Sequence, residues 1–172
     1  MALRRSGVGN FRLSATKFAI LTLTEESVKL YAKRIISRNE EHVAMIIGVG
    51  TDLIEIARVG KMLEGSSGDR FMERILTPAE RELAQKRRGR LAEFVAGRFA
   101  AKEAIVKAIG CGIGKQIGFQ DVEVLPDALG KPTCQVKEEA LLRAGLEGSH
   151  RIHISITHTG SMAAAYAIVE QA

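Results

Sequence analysis

Apolar residues recur at helical spacing through the stretch from Arg90 to Gly114, RLAEFVAGRFAAKEAIVKAIGCGIG. Leu91, Phe94, Val95, Phe99, Ile105, Val106 and Ile109 carry the pattern, Pro is absent, and a Gly cluster closes it at Gly110. This predicts one long, mostly buried helix. At about 100° per residue, Glu103 falls roughly 40° from Phe99, while Arg98 and Lys102 fall among Phe94, Ile105 and Ile109. Three ionisable groups therefore share the packed side, where a charge without a partner is costly. Each requires a counter-charge, a metal, a ligand, or a route to solvent for its side chain. For Glu103 the spacing leaves two readings open: an i,i+4 ion pair with Lys107, or a functional carboxylate.

Ahead of this helix, Ile46 to Asp52 (IIGVGTD) reads as a short strand thinned by Gly48 and Gly50, which let another backbone or a ligand approach closely. A dinucleotide fingerprint fails, because its third Gly would fall at Leu53. Asp52 ends the strand, where it serves either as the N-cap of the next helix, the simpler assignment, or as a metal-binding carboxylate. A helix with Ile54, Ala57, Lys61 and Met62 near one another and Arg58 on a flank follows, then a loop from Gly65 to Gly68 and a second helical stretch carrying Arg70, Phe71 and Arg74. Thr77-Pro78-Ala79-Glu80 matches a capping box with Pro at the first helical position. Arg81, Lys86, Arg87 and Arg88 read as a solvated face.

Beyond the central helix, Gly110-Cys111-Gly112-Ile113-Gly114-Lys115 does not satisfy the P-loop pattern; it reads as a helix stop, with a backbone contact to phosphate left open. Asp121 to Leu125 and Pro132 to Val136 form a β-hairpin about the turn from Pro126 to Gly130, and Glu138 to Ala144 is a short helix. Arg151 to Thr157 alternates, with Ile152, Ile154 and Ile156 on one face. The turn His158-Thr159-Gly160-Ser161 leads into a last strand from Met162 to Val169. His158, beside hydroxyls at a strand end, suits an anion contact.

Charge adds a boundary. The formal net charge is +5, but residues 1–44 hold eight Lys/Arg against four Asp/Glu and contribute +4 of it. That removes the main argument for nucleic-acid binding by the rest of the chain, and two Tyr with no Trp offer little for base stacking. Residues 1–24 contain Arg4, Arg5, Arg12 and Lys17 and no acid, which raises a transit peptide, and Val28, Tyr31 and Ile35 give one weak helical face. A regular pattern begins at Met45, so residues 1–44 are expected to be an N-terminal extension or a misplaced start, and residues 45–172 the working domain. Cys111 and Cys134 suggest neither a disulfide framework nor a zinc site and fit a reducing cytoplasm. No apolar run approaches the about 18 residues of a membrane span.

Taken together, IGVGTDLIEI at Ile47 to Ile56, FVAGRFAAKEAIVKAIG at Phe94 to Gly110, GIGKQIGFQDVEV at Gly112 to Val124, GKP at Gly130 to Pro132 and SITHT at Ser155 to Thr159 resemble the holo-acyl-carrier-protein synthases, the small-type 4′-phosphopantetheinyl transferases. The resemblance runs from Met45 to the C-terminus. It implies an α+β fold with an antiparallel sheet packed on the long helix, assembled as a homotrimer with its site at subunit interfaces. The implied activity is Mg²⁺-dependent transfer of 4′-phosphopantetheine from coenzyme A to a serine of an apo acyl carrier protein, a step serving fatty acid biosynthesis, with adenosine 3′,5′-bisphosphate released.

By the same resemblance Asp52 and Glu103 are the metal ligands. Glu103, or a metal-bound water beside it, is the first candidate for the serine proton, and His158 the second. Lys107, Gly110, Gly112, Lys115, His158 and Thr159 would contact coenzyme A, while Arg58, Met62, Arg70, Phe71 and Arg74 would receive the acidic carrier protein. Burial at a subunit interface would account for Arg98 and Lys102 among apolar neighbours. A non-catalytic coenzyme A or carrier-protein binding module is the competing reading; it would tolerate loss of Asp52 or Glu103, and both are present.

Overall fold

The computed structural model describes residues 25–26, 29–30, 45–87 and 89–171, and the chain forms two units, Met1–Glu41 and His42–Ala172. In the first unit Glu25 and Lys29, one helical turn apart, make an exposed ion pair of 3.1 Å. The basic stretch from Arg4 to Lys17 and the weak face of Val28, Tyr31 and Ile35 lie outside the described residues.

The second unit runs β1 (Met45–Glu55), α1 (Ile56–Glu64), α2 (Gly68–Ile75), α3 (Pro78–Gln85), α4 (Leu91–Ile109), a single 3₁₀ turn (Phe119–Asp121), β2 (Val122–Pro126), β3 (Pro132–Val136), α5 (Glu138–Arg143), β4 (His150–His158) and β5 (Met162–Gln171). This is the expected α+β arrangement. Three strands form an antiparallel sheet in the order β1-β5-β4, and β2 and β3 form a separate hairpin. Cys134 of that hairpin lies 3.9 Å from the carbonyl of Ile152 in β4. Both cysteines are free.

The long helix α4 lies directly on the sheet, and small residues decide how closely. A Cβ on Gly48 would fall 1.8 Å from the carbonyl oxygen of Ala108, and one on Gly50 would fall 2.0 Å from that of Ala104. The close approach foreseen for these glycines is therefore made by the helix backbone. On β5 the residues facing the helix are Ala163, Ala165 and Ala167, all fully buried. From α4 itself Val95, Ile105 and Val106 are fully buried. Burying each such side chain contributes about 1.5–3 kcal/mol, whereas β-branching in a helix costs at most about 0.7 kcal/mol, so packing outweighs propensity. Gly110 ends the helix in the left-handed conformation at φ 91°, its N–H donating to the carbonyl of Val106.

Two local expectations change. Antiparallel pairing with β5 continues to Glu55 opposite Met162, so Asp52 sits inside the strand opposite Ala165. It caps no helix, since the N-cap of α1 is Glu55, without a side-chain bond. Pairing of β4 likewise extends through His158 opposite Ala163, making that histidine the last strand residue instead of part of the turn. The capping box at Thr77 and Glu80 forms as its motif predicts.

Candidate active site

Asp52 shares the helix-facing side of β1 with Gly48, Gly50 and Ile54, which brings its carboxylate against α4. Glu103 and Lys107 lie one turn apart on that helix. Lys107 Nζ donates to Asp52 Oδ1 at 2.7 Å and to the carbonyl of Thr51 at 3.3 Å. The lysine thus pairs across the seam with the strand, instead of forming the Glu103–Lys107 helix pair that the spacing allowed. Burial holds the Glu103 carboxyl above its ordinary range, the neighbouring charge of Asp52 pushes it the same way, and Lys107 opposes both.

These two carboxylates open into a cleft of about 540 Å³ also lined by Arg58 and Met62 of α1, Phe71 and Arg74 of α2, and Phe99, Ile113 and Phe119. Four of the five residues assigned to carrier docking therefore border the cleft that holds the two expected metal ligands. The fifth, Arg70, is exposed outside that lining. Among the described residues no three His, Cys, Asp or Glu side chains converge as a metal cluster. A pair of carboxylates with mutually unfavourable charges and only oxygen donors fits a hard cation that completes its shell from substrate and water.

His158 and Thr159 do not join this cleft. His158 pairs with Ala163 on one side of β5, and Ile54, two residues beyond Asp52, pairs with Ala163 on the other. The imidazole lines a second groove with Arg87, Arg90, Glu93, Phe94 and Arg98, and its Nε2 lies 3.4 Å from Glu93 Oε1. Thr159 is used locally: its hydroxyl accepts from the N–H groups of Ser161 and Met162. Lys115 is exposed, and of its loop only Ile113 reaches the cleft. Gly110 and Gly112 have φ of 91° and 69°, so the loop depends on glycine to turn.

The second groove joins Arg98, already placed beside Phe94 by its spacing, to Arg87 and Arg90, which sequence reasoning missed. The Arg98 guanidinium stacks 4.6 Å from the Phe94 ring and that of Arg87 lies 5.9 Å from it. Arg98 Nε is buried and has no hydrogen-bond partner among the described residues. Arg87 and Arg90 were concealed by the charge run around them, which read as solvated.

Lys102 corrects another expectation, because its partners lie within its own chain. It is fully buried and donates to Glu80 Oε2 at 2.6 Å, to the carbonyl of Ile75 at 2.7 Å and to that of Phe119 at 2.9 Å. Glu80 also accepts from the N–H groups of Thr77 and Val124, each at 2.8 Å. Burial lowers the Lys102 pKa and the Glu80 charge opposes that shift. No subunit interface is needed to explain this ammonium.

The fold agrees with comparison to known proteins. Residues 48–167 match the sequence model of the 4′-phosphopantetheinyl transferase superfamily, and the chain belongs to that family. Within it, the chain is 49% identical over 127 residues to a holo-[acyl-carrier-protein] synthase of Bacillus cereus, covering 73% of this chain and 97% of that protein. A holo-(acyl-carrier-protein) synthase of Bacillus anthracis, solved in complex with CoA (3′,5′-ADP), superposes with a TM-score of 0.64 at 47% identity, covering 75% of this chain and all of that one. The enzyme of Neisseria meningitidis superposes with a TM-score of 0.65 at 32% identity, covering 74% of this chain and 100% of the other. Among the described residues no helix is long and apolar enough to cross a membrane.

Proposed function

We propose that the protein transfers 4′-phosphopantetheine from coenzyme A to a serine of an apo acyl carrier protein, with Asp52 and Glu103 holding Mg²⁺. The observation that carries this reading is the convergence of the two carboxylates in one cleft rimmed by Arg58, Arg74, Met62 and Phe71. In the reaction the serine hydroxyl oxygen bonds to the phosphorus that bears pantetheine, the bond from that phosphorus to the bridging oxygen breaks, and adenosine 3′,5′-bisphosphate leaves with the bonding pair. When bound, Mg²⁺ supplies neutralisation of the pyrophosphate charge. Glu103, which lines the cleft beside Asp52, is placed to accept the serine proton. Lys107 adds a cation at the pyrophosphate. The chemistry relies on placement and charge more than on a strong base.

The rim receives the carrier. Arg58 and Arg74 steer an acidic surface, and Met62 and Phe71 give it apolar contacts, a combination suited to a transient partner. Arg70 and Lys115 lie outside the cleft and serve as peripheral cations for carrier and nucleotide respectively.

The working assembly is a homotrimer. On the sheet face away from α4, Val49 is 65%, Leu53 62% and Tyr166 57% exposed, with Ile168 beside them, an apolar patch that a second copy would cover. His158 with Arg90 and Arg98 forms a cationic groove separated from Asp52 and Glu103 within one chain, so apposition of two copies would place that groove beside a neighbour's cleft for the nucleotide phosphates. Residues 45–172 constitute the proposed working domain, and two free cysteines suit a reducing cytoplasm. The test is intact-mass analysis of an apo carrier protein incubated with coenzyme A and Mg²⁺: a gain of one phosphopantetheine supports the reading, and an unchanged mass with other carriers as well would reject it. Sedimentation of the same sample checks the trimer.

A further inference from the structure

The C-terminus of α2 is held by side chains from elsewhere in the chain. A helix leaves its last four carbonyls without partners inside the helix. In α2 these belong to Met72, Glu73, Arg74 and Ile75. Met72 is satisfied by the N–H of Leu76 at 2.8 Å. The other three are met by donors from a distance, with the two N–H bonds of one amide shared among its neighbours. Gln120 Nε2 lies 2.8 Å from the carbonyl of Glu73 and 3.2 Å from that of Arg74, and 2.8 Å from the carbonyl of Leu76 just beyond. Lys102 Nζ lies 2.7 Å from the carbonyl of Ile75.

An eight-residue helix is too short to be stable by itself, so its orientation is set by what holds it. Lys102 is anchored to Glu80, and it is the residue before Glu103 on α4. Gln120 follows Phe119, which lines the cleft and stacks on Phe99 with ring centroids 5.2 Å apart. The two side chains therefore tie the segment bearing Arg70, Phe71 and Arg74 to the framework that carries Glu103.

We propose that Gln120, backed by buried Lys102, is a positioning residue for carrier-protein recognition. It fixes the C-terminal turn of α2 so that Phe71 and Arg74 present a preorganised rim to the incoming carrier. This rests on the reading of α2 as part of the docking surface. Gln120 is exposed, so its substitution spares the core. Lys102 is fully buried, and its removal would strand Glu80.

The experiment measures steady-state kinetics of the full chain in both substrates for Gln120→Ala, Gln120→Glu and Arg74→Glu, with hydrogen exchange of the α2 amides. For Gln120→Ala the KM for apo carrier protein rises about 5- to 10-fold, as expected for lost hydrogen bonds, and that for coenzyme A stays within about twofold. Gln120→Glu, which keeps the shape and loses the N–H donors, behaves like the alanine variant. In both variants exchange accelerates in α2 and not in α4. A wild-type carrier KM in Gln120→Ala, equal rises for both substrates, retention of wild-type behaviour by Gln120→Glu, or unchanged α2 exchange would each overturn the proposal. Arg74→Glu separates the two levels. If it raises the carrier KM and Gln120→Ala does not, the docking surface stands and the clamp falls. If it leaves the carrier KM unchanged, the docking reading fails and takes the clamp with it.

Discussion

Lys107 Nζ lies 2.7 Å from Asp52 Oδ1, across the seam between the long helix and the first strand. The ammonium supplies a positive charge at one of two carboxylates that repel each other, which explains why its own pKa is raised, chiefly by the hydrogen bond to Asp52. Lys107→Met is expected to lower kcat/KM for coenzyme A by about tenfold or more, the scale of a lost charge-assisted contact to phosphate, while the carrier KM stays near wild type. Because Lys107 is 47% exposed, the pair contributes at most about 1 kcal/mol to folding, so the melting temperature should change little. Kinetics with each substrate varied in turn, beside a thermal melt, checks both parts.

Reversing the rim is expected to act on the other substrate. Arg58→Glu combined with Arg74→Glu should depress the association of carrier protein and flatten its salt dependence, leaving coenzyme A binding unaltered. Stopped-flow association at several ionic strengths is the measurement. Equal losses for carrier and coenzyme A would remove this surface from the docking assignment.

The seating of α4 on β1 gives a stability prediction. A methyl group on Gly50 would fall 2.0 Å from the carbonyl oxygen of Ala104 and 2.6 Å from the nitrogen of Ala108, both backbone atoms that cannot swing aside. Gly50→Ala should therefore push the helix off the strand and cost about 3 kcal/mol or more, shown by chemical denaturation. Gly114→Ala is the control, since nothing lies within 4 Å of its added Cβ.

Asp121 provides a pH test away from the cleft. Burial raises its pKa, but hydrogen bonds from the Gly118 N–H and Lys137, with the charges of Lys137 and Arg143, outweigh burial and place it below the ordinary 3.8. A carboxylate with a depressed folded pKa stabilises fully above its unfolded value, and the stabilisation is lost as pH falls through the folded value. Asp121→Asn should accordingly be destabilised by about 1 kcal/mol at neutral pH, with the gap to wild type closing below about pH 4. Denaturation curves across that range should converge in acid. A constant gap would assign the effect to shape instead of charge.

Much of this architecture was legible in the residues. The periodicity of α4, the capping box at Thr77 and the alternation of β4 each follow from local chemistry, and the sheet and helix formed where those patterns placed them. The length of β1 was not legible, because pairing with β5 through Glu55 is a long-range property that Gly48 and Gly50 disguise locally. Asp52 consequently looked like a cap. Lys102 was readable as an ionisable residue in apolar surroundings and Glu80 as part of a capping box, but 22 residues separate them and no local pattern links them. Gln120 sits inside a quoted motif but had no readable role of its own, as that role comes from carbonyls at and just beyond a helix end 44 to 47 residues away. Of the cations beside His158, Arg98 was legible from its spacing to Phe94, whereas the charge run obscured Arg87 and Arg90.

The central claim is that Asp52 and Glu103 together make the cleft catalytic. The most direct measurement is intact-mass analysis of an apo carrier protein after incubation with coenzyme A, saturating Mg²⁺ and wild type, Asp52→Ala or Glu103→Ala enzyme, each variant first shown by its melt to be folded. Wild type should convert the carrier by the mass of one phosphopantetheine, and both variants should leave it unchanged. Conversion near the wild-type rate by either folded variant would contradict the account.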